Sequence, residues 1–355
     1  MNIENLGYSY DIQKYILENN LSEFSVGRVT QEHRESYVVS TGAGEFSAEI
    51  TGNLRFSANK RADFPAVGDW VAMQTFDGGM AIIHKVLPRK SLLERQSVSK
   101  PGEKQIISAN IDVALIVQSI DNNFSINRLE RYITICNSAK IEPILIISKI
   151  DLSTEEEVQL AISKLNSREK NVKYILLSNF THEGLQQVKD MLEKGKTYCV
   201  IGSSGVGKST LINNLLEEER LKTGTISENT NKGRHVSTAR ELFVLENGGI
   251  IIDTPGMREL GITEDADALN STFEDIFNLT LNCKFPDCAH NGETGCAVQE
   301  ALDNGTISEE SFANYKKMKR EQERFQITIA EKRKKDKQFG RMAKAIMQEK
   351  KKNKF

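Results

Sequence analysis

One nine-residue segment, GSSGVGKST, has the residue types and the spacing of a phosphate-binding loop. Gly202, Gly207, Lys208 and Ser209 stand at the fixed positions of the pattern G-x-x-x-x-G-K-[ST], between an apolar segment and an amphipathic one. The glycines let backbone N–H groups face phosphate oxygens, the lysine reaches the β- and γ-phosphates, and the serine hydroxyl ligates Mg²⁺. The residues expected to hold the phosphates are Gly202, Ser203, Ser204, Gly205, Val206, Gly207, Lys208, Ser209 and Thr210.

A second segment, GGIIIDTPG, supplies a carboxylate at the end of an apolar stretch. An aspartate at this place, here Asp253, can hold Mg²⁺ through water, and the N–H of Gly256 can contact a γ-phosphate. We therefore expect Asp253 and Gly256 to complete the phosphate site.

A third segment, SKID, follows the apolar stretch PILII and is similar to the N-K-x-D element of GTPases. The aspartate carboxylate of that element accepts hydrogen bonds from guanine N1–H and N2–H₂, and adenine has no matching donors. A serine stands where asparagine is usual, which reduces the number of possible hydrogen bonds. A further loop after the stretch YILL matches the next guanine-contacting segment. The residues expected at the base are Ser148, Lys149, Ile150, Asp151, Ser178 and Asn179.

The order of these segments is unusual, because the base-contacting segments precede the phosphate loop. This order predicts a circularly permuted domain, which keeps its sheet intact because only surface termini move. From about residue 107, apolar strand candidates alternate with amphipathic helix candidates, a pattern typical of a parallel sheet covered on both faces. Residues 25–95 instead contain short alternating segments broken by glycine and asparagine, which favour a small β-barrel of OB-like or SH3-like type.

Three of the five cysteines lie close together in the pattern Cys283-x4-Cys288-x-His290-x5-Cys296. Three thiolates and one imidazole form a known ligand set for tetrahedral zinc. No fifth ligand is evident, so we expect one structural Zn²⁺. The other two cysteines lie in apolar segments and are expected to be packing residues.

The composition is that of a globular protein, with 39% apolar and 27% charged residues among 355. It excludes collagen-like and wholly disordered chains, and no apolar run is long enough for a membrane span. The N-terminus lacks a signal-peptide pattern, so a reducing cytoplasmic location is expected. Residues 315–355 contain 16 basic and 5 acidic residues. Such a tail indicates a polyanionic partner such as nucleic acid, or else a solvated tail without a specific partner.

The permuted order, the preceding barrel and the Cys/His cluster together resemble the RsgA (YjeQ) family of small ribosomal subunit biogenesis GTPases. The segments that carry this resemblance are AVGDWV, LPRKSLLER, PILIISKIDL, GSSGVGKSTLIN, KGRHVSTARELF and DCAHNGETGCAV. The resemblance implies a multidomain α/β chain. Its expected parts are an N-terminal extension with an OB-fold RNA-binding barrel (1–106), a permuted P-loop GTPase domain (107–272) and a zinc-binding helical domain with a basic tail (273–355).

The resemblance also implies an activity and partners. The expected activity is hydrolysis of GTP to GDP and phosphate, with Mg²⁺, stimulated by the small ribosomal subunit during its late maturation. The expected partners are that subunit, its rRNA and guanine nucleotides. We expect a cytoplasmic monomer without membrane attachment.

Catalysis requires a group that orients the attacking water. Met257 occupies the place where Ras-like enzymes have a glutamine, and its side chain cannot do this, so intrinsic hydrolysis should be slow. We expect His235, in the switch segment, to orient or deprotonate water beside the catalytic Lys208. His235 could instead pack or contact RNA. Ser237 is expected to close onto Mg²⁺, with Thr238 as the alternative ligand.

Two other functions fit parts of this sequence. The chain could be a permuted GTPase switch that acts on a non-ribosomal protein partner, which would make the basic tail irrelevant. It could also be a non-enzymatic RNA-binding module whose nucleotide site has decayed. The intact phosphate loop and Asp253 argue against the second alternative.

Overall fold

The computed structural model describes most of the chain, namely residues 2–33, 36–58, 60–96, 104–121, 124–169, 171–221, 240–254 and 265–352. The chain divides into two compact units, Met1–Glu94 with Ile106–Leu260 and Arg95–Gln105 with Gly261–Phe355. The domain boundaries expected from the sequence stay predictions.

The first unit begins with a helix and a closed barrel. Its helices and strands are α1 (Tyr10–Glu18), β1 (Ser25–Glu32), β2 (Tyr37–Ser40), β3 (Glu45–Ile50), α2 (Gly52–Ser57), β4 (Trp70–Phe76) and β5 (Met80–Val86). The barrel strands run in the order β1-β2-β3-β5-β4, and β4 returns to pair with β1. The β3–β5 pair is parallel and the other pairs are antiparallel. The predicted OB-like barrel is therefore confirmed.

The barrel interior is filled by apolar side chains of alternating strand positions, among them Val29, Val39, Val71 and Ile83. Because successive side chains of a strand point to opposite faces, this alternation closes one apolar core inside the barrel.

A parallel sheet follows the barrel. Two strands, β6 (Leu92–Gln96) and β7 (Lys104–Ala109), first form a separate ribbon. The elements after it are β8 (Val113–Ser119), α3 (Ile126–Ser138), β9 (Glu142–Ser148), α4 (Glu155–Arg168), β10 (Lys173–Leu177), α5 (Leu185–Met191), β11 (Thr197–Ile201), α6 (Lys208–Leu216), β12 (Glu241–Val244) and β13 (Ile250–Asp253). The sheet order is β10-β9-β8-β11-β13-β12, with only β12 antiparallel to its neighbour in this series.

Helices cover both faces of this sheet. Ala114 and Ile116 of β8 pack in one apolar cluster with α3, while Leu115 and Val117 pack in another with α5 and α6. Because both faces are covered, the strands are apolar almost throughout, as the sequence predicted. The carboxyl ends of β9, β10 and β11 thus lie along one edge of the sheet, where the candidate site residues follow.

The barrel and the parallel sheet are continuous, because β12 pairs with β1. Buried Arg28 of β1 reinforces this junction. Its guanidinium donates hydrogen bonds to the carbonyls of Leu6 (2.6 Å), Gly68 (3.1 Å) and Asn110 (3.3 Å) and to Thr197 Oγ1 (2.9 Å). Barrel and sheet therefore share a buried polar interface within one unit.

The second unit is helical. Its helices are α7 (Ala266–Thr272), α8 (Glu274–Leu281), α9 (Ala297–Asp303) and α10 (Glu309–Lys352). Phe312, Tyr315 and Met318 of α10 belong to its apolar core. The basic segment that begins at residue 315 is therefore not wholly a solvated tail, because its first turns are part of this core. Within the described parts of the chain, no helix has the length and apolarity needed to cross a membrane.

Candidate functional site

The glycine-rich loop joins β11 to α6, as the sequence predicted. Gly202 has φ 149° and Gly207 has φ 94°, conformations that favour glycine. A Cβ atom at Gly202 would lie 2.3 Å from the carbonyl oxygen of Val117, and one at Gly207 would lie 2.7 Å from Asn179 Nδ2. The backbone of the neighbouring strand therefore leaves no room for a side chain at Gly202, whereas at Gly207 the side chain of Asn179 would have to shift.

Polar groups of this loop fit an anionic ligand. Lys208 Nζ donates to the carbonyl of Ser203 at 2.5 Å, which places the ammonium over the loop. The hydroxyl oxygen of Ser203 is buried, and no described residue hydrogen-bonds it. The first turn of α6 adds backbone N–H groups and the positive end of the helix dipole. The loop thus offers donors and positive charge to phosphate oxygens.

Ser148, at the end of β9, connects the base segment to this loop. It is fully buried, and its hydroxyl donates to the carbonyl of Val206 at 2.6 Å, with Gln118 O a longer acceptor at 3.3 Å. The hydroxyl is therefore used inside the protein. Asp151 lies in the exposed turn that follows, where its carboxylate is accessible to a ligand.

Hydrogen bonds also attach the loop after β10 to the glycine-rich loop and to α6. Asn179 Nδ2 donates to the carbonyl of Gly207 at 3.1 Å, and Asn214 Nδ2 of α6 donates to the carbonyl of Asn179 at 3.1 Å. Ser178 is fully buried beneath this loop. Both predicted base-contacting segments are thus joined to the glycine-rich loop by direct hydrogen bonds.

Lys149 has a left-handed backbone conformation (φ 62°), and its Nζ lies 3.5 Å from Asp121 Oδ2. Asp121 follows β8 and also accepts a hydrogen bond from Ser119 Oγ at 2.9 Å. An acidic group from a third strand end therefore pairs with the lysine of the base segment.

Asp253 ends β13 beside the strand that leads into the loop, opposite Val200. It is 6% exposed, and burial raises the pKa of its carboxyl to about 6, although the charge of Lys208 opposes this shift. The next residue, Thr254, donates its hydroxyl to the carbonyl of Val200 at 2.7 Å. These contacts hold the carboxylate next to the phosphate loop.

The four predicted metal ligands converge in the second unit. The ligand atoms of Cys283, Cys288, His290 and Cys296 all lie within 4.8 Å of one another. His290 Nδ1 is 3.5 Å from the Sγ atoms of both Cys283 and Cys296, and those two sulfurs are 4.0 Å apart. Ligands of one tetrahedral zinc ion stand about 3.5 to 3.8 Å apart. The two distances from His290 match this spacing, and the sulfur–sulfur distance is slightly wider.

Surrounding groups favour metal binding. Desolvation, together with the charge of Lys319, lowers the pKa of His290, which keeps the imidazole neutral. The Gln299 N–H donates to Cys296 Sγ at 3.3 Å at the start of α9. The Glu293 carboxylate accepts from the N–H of Ala289 at 3.0 Å and fixes the ligand loop.

Among the described residues, the structure joins the predicted base segments to the predicted phosphate loop in the first unit and brings the four predicted metal ligands together in the second. Three predicted residues, His235, Ser237 and Gly256, lie outside the described residues, as does Thr238. Sequence reasoning missed Asn214 and Asp121. Both act across long separations along the chain, and neither belongs to a recognisable motif.

Comparisons with known proteins agree with this geometry. A family model described as "RsgA GTPase" matches residues 86–263, and one described as "50S ribosome-binding GTPase" matches residues 197–332. Both matches include the phosphate loop and Asp253.

Two curated relatives cover most of the chain. The "Small ribosomal subunit biogenesis GTPase RsgA 2" of Lactiplantibacillus plantarum is 42% identical, covering 83% of each chain. The "Small ribosomal subunit biogenesis GTPase RsgA 1" of Bacteroides thetaiotaomicron is 35% identical and covers 98% of each. The crystal structure of YjeQ from Thermotoga maritima superposes with a TM-score of 0.62 and 27% identity, over 84% of this chain and 98% of that one. The chain therefore belongs to the RsgA GTPase family and is a GTP hydrolase.

Proposed function

We propose that this GTPase binds the small ribosomal subunit and acts in its late maturation, hydrolysing GTP to GDP and phosphate. One observation carries the nucleotide part of the proposal. The hydroxyl of Ser148 and the amide of Asn179 hydrogen-bond to the carbonyls of Val206 and Gly207. These bonds support one site made of the proposed base-contacting and phosphate-contacting segments. The relatives' names, which refer to small ribosomal subunit biogenesis, support the ribosomal part.

In this proposal the residues of the site have separate tasks. Asp151 accepts hydrogen bonds from the guanine edge, while Lys208 and the loop N–H groups bind the phosphates. His235 orients the attacking water. Ser209, Asp253 and Ser237 would supply the oxygen ligands that Mg²⁺ prefers. The ion would neutralise charge on the β- and γ-phosphates.

We further propose that the cluster of the second unit holds one structural Zn²⁺. The ligands are three thiols and one imidazole, a set that zinc binds in closed sites. Cys283 and Cys288 also pack against the apolar core of this unit. The ion would therefore crosslink the ligand loop to the helical core.

The proposed contacts with the subunit involve rRNA. Residues 331–355 contain 11 basic and 3 acidic residues, which suits a polyanionic surface. The barrel is of a type that binds oligonucleotides. We propose that the protein acts as a monomer in the cytoplasm, the compartment of ribosome assembly.

Sedimentation with purified subunits tests the proposal. The protein is mixed with small or large ribosomal subunits in the presence of GDP or a non-hydrolysable GTP analogue, and the bound fraction is measured after pelleting. We expect binding to small subunits that depends on the nucleotide. Lys208→Ala should remove this dependence, because the variant no longer binds the phosphates.

Two results would contradict the proposal. Binding to large subunits alone would favour a function of the kind that the second family model names, 50S ribosome binding. Binding to neither subunit, with nucleotide binding intact, would favour a switch that acts on a non-ribosomal protein.

A further inference from the structure

Phe180 is 87% exposed, which makes it the most exposed large apolar side chain in the described residues of 107–254. It directly follows Asn179 of the second base-contacting segment. Leu152 is 74% exposed and directly follows Asp151 of the first. The two apolar side chains thus come after the ends of β9 and β10, which are neighbouring parallel strands.

The backbone that carries Phe180 is held in place. Ser178 Oγ accepts hydrogen bonds from the N–H groups of Phe180 (3.2 Å) and Thr181 (3.0 Å). Asn179 is fixed on its other side by Gly207 and Asn214. The loop therefore presents an aromatic ring to solvent from a backbone that is tied to the phosphate loop and to α6.

An aromatic ring at the position of Phe180 suits one kind of ligand group, the flat face of a nucleotide base. A carboxylate such as Asp151 can select guanine through the edge of the base, but it leaves both faces of the base in water. Stacking on an aromatic side chain covers a face and is favourable for any base. A polar base edge and an apolar base face therefore require two different kinds of residue.

We propose that Phe180 stacks on the base of the bound nucleotide, and that Leu152 completes an apolar rim around it. Phe180 then sets how tightly the nucleoside is held, whereas Asp151 sets which base is chosen. This inference rests on the guanine-nucleotide site proposed above and goes beyond it by naming the residues that cover the base.

Calorimetric titration tests the inference without any measurement of hydrolysis. Phe180→Ala should weaken GDP binding about tenfold, while Phe180→Trp keeps an aromatic face and should bind as the unchanged protein does. The preference for GDP over ADP should stay the same in Phe180→Ala. Binding of pyrophosphate, which has no base, should also be unchanged.

A matched control is available in the barrel. Phe56 of α2 is 92% exposed, so Phe56→Ala removes an equally exposed ring away from the base-contacting segments and should leave GDP binding unaltered. Equal GDP affinity of Phe180→Ala and the unchanged protein would overturn the inference, even if binding to the small subunit fell. Failure of the unchanged protein to prefer GDP over ADP would overturn the proposed guanine site as well.

Discussion

At the scale of single residues, Ser148 illustrates how the site tolerates an unusual residue. The sequence places a serine where asparagine is usual and predicts a weaker set of hydrogen bonds. In the structure its hydroxyl donates to Val206 O at 2.6 Å, within the phosphate loop. The residue therefore supports the loop rather than the base, a direction that residue type alone cannot give.

Ser148→Ala should weaken GDP binding about tenfold, because it leaves a buried carbonyl without this donor at a cost of about 1–3 kcal/mol. The dissociation constant for GDP measures the effect. The matched control is Ser167→Ala, since the Ser167 hydroxyl donates to the carbonyl of Lys164 at an exposed place in α4. Equal losses in the two variants would contradict the role of Ser148.

Glu169 provides a pH-dependent prediction at the same scale. Burial, with the nearby charge of Glu130, raises the pKa of Glu169 to about 8, although Arg168 opposes the shift. The folded state therefore keeps a proton that the unfolded state, with the ordinary value of 4.5, has lost. Stability from this group is full below pH 4.5 and decreases as the pH rises through 8.

Glu169→Gln should accordingly raise the free energy of unfolding more at pH 9 than at pH 5. The expected difference is on the order of 2 to 4 kcal/mol. Urea unfolding at both pH values measures it, and the control is Glu156→Gln, an exposed position in α4, the helix that Glu169 follows. A gain that is equal at both pH values would contradict the account of Glu169.

At the scale of elements, the sequence predicts those strands and loops that depend on residues close together in the chain. Apolar runs give the strands of the parallel sheet, and the glycine pattern gives the loop between β11 and α6. The pairing of β1 with β12 and the core position of Met318 were not predicted. Both depend on residues far apart in the chain, and neither leaves a mark on local periodicity.

The ligand loop of the second unit is an element whose stability should depend on its metal. The protein should contain one zinc ion per chain. The Cys288→Ser variant should not bind this ion, and the unfolding temperature of the second unit should fall. GDP affinity should be unchanged, because the nucleotide residues belong to the other unit. Metal analysis and calorimetry measure both effects, with Asp287→Asn of the same loop as control. A zinc-free protein with full stability would contradict the prediction.

At the scale of the whole molecule, α10 combines a first part with buried side chains and a second part rich in basic residues. Phe312, Tyr315, Met318 and Phe325 are buried, so its first part belongs to the core of the second unit. A truncation at residue 316 would remove part of this core and would not isolate the effect of charge. A truncation of residues 331–355 removes basic residues that follow Phe325, the last aromatic side chain that the structure describes as buried.

Deletion of 331–355 should therefore leave GDP and zinc binding intact and weaken binding to small subunits about tenfold or more at low salt. Binding of the truncated protein to small subunits should also depend less steeply on salt, because it neutralises fewer rRNA phosphates. A full-length variant with glutamine in place of the eleven basic residues of this segment is the control and should behave alike. Unaltered binding by both variants would show that the tail has no part in docking.

The rate of GTP hydrolysis, with and without small ribosomal subunits, tests the central claim most directly. Hydrolysis by the protein alone should be slow, because Met257 cannot orient the attacking water. Small subunits should accelerate it at least about tenfold, with an effect that decreases at high salt, and large subunits should not. Hydrolysis that is indifferent to small subunits, or that only large subunits accelerate, would contradict the account.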